Sequence, residues 1–136
     1  MSEMQFADHF AYSNTDSEMS VLGAAMQDAK ALKLVIEMAP EEFTLPEHRL
    51  ILMAMKSLAE DGKPVDLVTM HDQLSAGKKI DIIGGVAYLM RLISFTPTTA
   101  NVKTHIGIVR ECSARRQLKS IIARSEERRV GKECRS

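Results

Sequence analysis

The sequence predicts an all-α protein, a compact head of about five helices followed by a long helical arm. Three observations carry this. Apolar residues recur at three- and four-residue intervals through most of the chain, the pattern of amphipathic helices. Proline and glycine mostly separate these stretches instead of interrupting them. Only 4% of the 136 residues are aromatic, with no Trp but nine Met, so Leu, Ile, Met and Ala must fill the core. That mixture favours helices over sheets.

Residues 1–13 lack a clear period and are read as a flexible N-terminal arm, with Phe10 or Tyr12 available to pack on the domain. The head spans 14–100. Thr15-Asp16-Ser17-Glu18 has the form of a capping box, in which Thr15 and Glu18 satisfy each other's amides. Met19, Leu22 and Met26 then mark a first helix to about Asp28, with Gly23 inside it. An interior glycine costs roughly 1 kcal/mol, which points to close packing there. A second helix is expected over Lys30 to Ala39, with Leu32, Val35, Ile36 and Ala39 inward and Pro40 as its stop.

Glu41-Glu42-Phe43 reads as a turn anchoring Phe43 in the core. Pro46 suits the first turn of a third helix, where its missing donor is not needed. Leu50, Ile51, Ala54 and Leu58 form its expected buried face, and Gly62 a left-handed stop. Asp66 caps a fourth helix carrying Leu67, Met70 and Leu74, which Gly77 ends. Ile80, Ile82 and Ile83 are expected to cover the core. Gly84-Gly85 opens a fifth helix with Val86, Leu89 and Ile93 on one stripe.

Thr96-Pro97 ends that helix, because proline lacks a donor and disfavours the helical region in the residue before it. Asn101 is a good N-cap for the long arm, where Val102, Ile106, Val109 and Cys112 fall at helical spacing. Ala114, Leu118 and Ile121 continue the seam. A helix this long needs a partner for its apolar face, from the same chain or a second one.

A net charge of zero conceals an asymmetry. Residues 1–100 carry eight Lys/Arg against fourteen Asp/Glu; residues 101–136 carry ten against four. Such a division suits self-association, an acidic partner or nucleic acid, or simply a solvated helix face. Cys112 and Cys134 have no metal-ligand spacing, which fits a reduced, cytoplasmic chain. No apolar run reaches the ~20 residues that span a bilayer. The Gly-Lys pairs lack the earlier glycine of a phosphate-binding loop. His48, in a first helical turn without a second ligand nearby, is given a solvated or capping role. No catalytic or metal residue is expected.

Several segments resemble the N-terminal domain of DnaB-like replicative DNA helicases. They are Glu18-Met19-Ser20-Val21-Leu22-Gly23, Glu42-Phe43 followed by His48-Arg49, Gly62-Lys63-Pro64-Val65-Asp66-Leu67-Val68-Thr69 and Gly84-Gly85-Val86-Ala87-Tyr88-Leu89. Thr96-Pro97 with Ala100-Asn101, and Ile108-Val109-Arg110-Glu111 with Arg116, complete the series. The order and intervals hold over about residues 14–122. Thr44 and His105 stand where the family has aromatics, and Gly107 is unusual inside a helix.

The resemblance implies a helical head followed by a helical hairpin, of which residues 101–123 are the first arm. It implies a collar on a hexameric ring, pairing between copies as a dimer or hexamer, docking of primase and contact with a helicase loader. ATP, Mg2+ and strand translocation belong in that family to a motor domain expected to be absent here. This chain is thus expected to need no cofactor and have no enzyme activity, and to meet DNA only through the full-length helicase. Residues 124–136 stop resembling the family and are read as a non-native tail.

Asp16, Glu18, Tyr88, Arg110, Arg115 and Arg116 are the candidate partner-binding residues. Tyr88 is either an aromatic anchor or a core residue. Asp16 and Glu18 form an acidic rim or merely cap their helix. The arginines meet a second copy, DNA or solvent. The alternative reading is a stand-alone DNA-binding or phage-type adaptor domain using the basic helix.

Overall fold

The computed structural model describes residues 14–96 and 98–135, with side chains as far as Arg124. Its elements are α1 (Thr15–Gln27), α2 (Ala29–Val35), a 3-10 turn at Pro40–Glu42, α3 (Pro46–Glu60), α4 (Leu67–Ala76), α5 (Gly85–Phe95) and α6 (Val102–Arg135). No strand occurs among the described residues. The chain is all-α, as expected. The N-terminal arm, with Phe10 and Tyr12, and Pro97 lie outside the described residues.

The core is built around α1. Every residue from Ser17 to Met26 except Ser20 is buried, so this helix is covered on all sides. Helices α2, α5 and α6 pack around it, and α3 meets it near Glu18. Gly23 makes the close approach that its sequence position suggests. A Cβ there would overlap the Leu92 carbonyl oxygen and Thr96 Oγ1. The Gln27 side-chain amide closes the same crossing, within 3.3 Å of the carbonyl oxygens of Gly23, Ile93 and Thr96.

The start of α1 departs from the expected capping box. Asn14 is the N-cap, its Oδ1 accepting from the Ser17 amide at 3.0 Å. Asparagine is at least as good a cap as threonine, and its use moves the reciprocal position from Glu18 to Ser17. Glu18 is therefore free to point inward.

Helix α2 stops at Val35, short of the expected Ala39. Ala39 precedes Pro40 and is extended (φ −92°, ψ 145°), and the turn before it drops Met38 into the core at 0% exposure. Phe43 is fully buried, as expected. On α3 the buried face is His48, Ile51, Leu52, Ala54, Met55 and Leu58, with Leu50 at its edge.

Gly62 is left-handed at φ 72°, but α4 is followed by a left-handed Lys78 (φ 58°) while Gly77 is not left-handed. Asp66 caps α4 reciprocally with Thr69, each side chain accepting from the other's amide at 2.9 Å. Ile83 is buried, whereas Ile82 is 59% exposed. On α5, Leu89 and Leu92 face the core, which leaves Val86 at the edge of the stripe, 39% exposed.

The first turns of α6 belong to the head. Val102, Ile106 and Val109 join its apolar cluster, and Cys112 is buried beside them. The break after α5 is thus not an end to packing. Past Arg116 the helix leaves the head. Gly107 meets nothing within 4 Å of an added Cβ. Gly107→Ala is expected to stabilise the chain by about 0.5–1 kcal/mol, since only helix propensity changes. A thermal melt that fell instead would show that the glycine is needed within the fold.

Candidate interaction surface and its anchors

Two polar clusters tie the elements together, and four of the six candidate residues fall in them. In the first, His48 sits fully buried at the start of α3. Its Nδ1 lies 2.8 Å from Glu18 Oε1 on α1, and its Nε2 lies 2.6 Å from the Tyr88 hydroxyl on α5. The Thr44 amide donates to Glu18 Oε2 at 3.0 Å. The His48 and Tyr88 rings stack at 5.9 Å, and Phe43 approaches His48 edge-on.

Burial alone would push the Glu18 carboxyl up, but hydrogen bonds from His48 and Thr44 outweigh it and hold the group below the usual glutamate range. An ionised Glu18 can only accept, so His48 Nδ1 must carry a proton. The Tyr88 hydroxyl then donates to Nε2 when the ring is neutral. Burial, helped by the charge of Glu47 and opposed by that of Arg91, pushes the Tyr88 phenol up, so it stays protonated near neutral pH.

Carboxylate, imidazole and phenol are thus spent on one another. The cluster joins three helices and offers no free nucleophile. Glu18, 1% exposed, does not form a surface rim with Asp16, which alone remains exposed in the first turn of α1. His48 is neither solvated nor a cap. One signal for its burial was present: it lies on the face of Ile51, Leu52 and Met55 at spacings of three, four and seven.

The second cluster centres on Glu42. Its Oε1 accepts from the Ala39 amide at 2.8 Å, and its Oε2 from Arg110 Nε at 3.1 Å. Its carbonyl oxygen accepts from Arg116 at 3.0 Å. Arg115 instead bonds Glu111 one turn back on its own helix, at 2.7 Å. Arg110 and Arg116 therefore engage their own head. No spacing in the sequence singles out Glu42 for this.

Beyond these anchors lies the uncovered surface of α6. Leu118 and Ile121 are each 58% exposed and Ile122 50%, at intervals that place them on one side of the helix. Among the described residues no group of acidic, histidine or cysteine side chains could hold a metal, and no helix is long and apolar enough to cross a membrane.

Comparison with known proteins agrees with this architecture. Residues 11–111 match the family described as DnaB-like helicase N terminal domain. The chain is 40% identical over 119 residues to the replicative DNA helicase DnaB of Geobacillus stearothermophilus, covering 87% of this chain and 26% of that protein. It is 36% identical over 112 residues to the replicative DNA helicase DnaC of Bacillus subtilis (strain 168), covering 82% and 25%. The chain thus spans about a quarter of the length of these relatives.

Among solved structures, the N-terminal domain of DnaB helicase from Mycobacterium tuberculosis superposes with a TM-score of 0.81 at 33% identity, covering 85% of this chain and 81% of that one. A DnaB-like replicative helicase, described together with its interactions with primase, superposes with a TM-score of 0.75 at 28% identity, covering 85% and 27%. The chain belongs to the DnaB-like helicase N-terminal domain family.

Proposed function

We propose that this chain is the N-terminal collar and interaction domain of a replicative DNA helicase. It pairs with further copies in a hexameric assembly and docks primase during DNA replication in the cytoplasm, with a helicase loader as a further partner. Its own role is non-catalytic and needs no cofactor. ATP, Mg2+ and DNA are handled by the motor part of the full-length enzyme.

The observation that carries the pairing is the strip of Leu118, Ile121 and Ile122 on α6, apolar and at least half exposed on a helix whose first half is already packed. Association of such strips removes apolar area from water at about 25 cal/mol per Å2. The primase reading rests on kinship with the helicase described with its primase interactions.

Light scattering over a concentration series tests the pairing. The chain is expected to associate reversibly, and Leu118→Asp with Ile121→Asp to give a monomer whose melting temperature is little changed. A wild-type monomer at every concentration would sink the idea. A pull-down with purified bacterial primase tests the docking. Salt-sensitive retention of DNA in a gel shift, without primase capture, would favour the DNA-binding alternative.

A further inference from the structure

We propose that Glu42 acts as a clasp that fixes the direction in which α6 leaves the head. The contacts concerned lie within one chain, so this does not depend on what the arm pairs with. The apolar seam of Val102, Ile106 and Val109 holds α6 against the head. Apolar contact is non-directional, however, and by itself permits rolling and sliding. Hydrogen bonds are directional and do not.

Arg110 and Arg116 are six residues apart, roughly 9 Å along the helix axis, yet both converge on Glu42. One reaches its carboxylate and the other its main-chain carbonyl. Sliding α6 in either direction lengthens one contact as it relaxes the other. Near the helix start, Thr99 Oγ1 donates to Asp28 Oδ2 at 3.2 Å and adds a further fixed point.

Glu42 is itself held in place. Its Oε1 takes the Ala39 amide, and the next residue, Phe43, is fully buried with its amide on the Pro40 carbonyl at 3.1 Å. The clasp is therefore seated on the core. The backbone of α6 continues helical to Arg135. The part from Arg116 to Ala123, ahead of the segment read as a non-native tail, is a lever about 10 Å long, on which a 10° tilt moves the tip by about 2 Å. The Arg110 side chain is 49% exposed, so the ion pair adds little stability in water. Its effect is on direction.

Spin labels at Ser75→Cys in the head and Ser120→Cys on the arm, in a Cys112→Ala, Cys134→Ser background diluted with unlabelled chain, read this by pulsed electron resonance. The parent is expected to give one narrow distance. Arg110→Ala with Arg116→Ala should broaden it at least twofold and shift its mean, while the melting temperature moves by only a few degrees. Glu42→Gln should broaden it less, because the carbonyl contact remains. A parent distribution as broad as the double variant's overturns the proposal, as does a double variant as narrow as the parent. Broadening by Glu42→Ala alone, with the arginine variants unchanged, assigns the effect to an unwound 3-10 turn and overturns it too.

Discussion

His48→Ala is expected to lower the unfolding free energy by about 3 kcal/mol and the melting temperature by roughly 15 °C. The substitution leaves the Glu18 carboxylate, 1% exposed, with only the Thr44 amide, and strands the Tyr88 hydroxyl. Removing one partner of a buried pair costs more than the pair contributed, because the other charge stays out of water. Glu18→Gln should cost less, since its amide oxygen can still accept from His48 Nδ1.

The acid side of the stability profile gives a second readout. The folded Glu18 carboxyl is held below its ordinary value near 4.5, so its contribution is fully present above that pH. It is lost as pH falls through the lower, folded value. The difference between wild type and Glu18→Gln should therefore close on acidification below about pH 4.5. Denaturant titrations from pH 3 to 8 measure both effects. A His48→Ala chain within 1 kcal/mol of wild type would mean that the cluster is not a structural tie.

Gly23→Ala is expected to destabilise by about 2–3 kcal/mol despite the better helix propensity of alanine. The new Cβ would meet the Leu92 carbonyl oxygen and Thr96 Oγ1, so α5 must shift by its backbone and not by a flexible side-chain end. That shift also moves the Ile93 and Thr96 carbonyls away from the Gln27 amide. The opposite sign expected for Gly107→Ala makes the pair an internal control. Equal effects of the two alanines on the denaturant midpoint would contradict the packing assigned to Gly23.

What could be read from the sequence was what local chemistry dictates. Pro46, Gly62, Asp66 and the Gly84-Gly85 pair mark element ends because each acts on its own backbone. Gly23 was legible as a close approach, though not against which element. Glu18 was misread because a box of four residues cannot register a histidine 30 residues away that competes for the same carboxylate. Glu42 and its arginines, 68 and more residues apart, left no local trace. The strip on α6 was visible in the sequence. Its exposure, set against the burial of Val102 to Cys112 on the same helix, needed the fold.

The packing of α1 has a consequence for synthesis. Its neighbours include α5 and α6, through contacts such as Gly23 with Leu92 and the cluster shared with Val109. A ribosome delivers α1 and then α2, which packs on it, but cannot complete the cover of α1 until Cys112 has emerged. At ~5–20 residues per second that is a wait of about 5–20 s. Meanwhile α3 and α4, neighbours in sequence and joined by Gln73 on Ser57, can pair at once. Vectorial folding would thus proceed through such local pairs, leaving the deeply buried α1 only partly sheltered until the arm arrives.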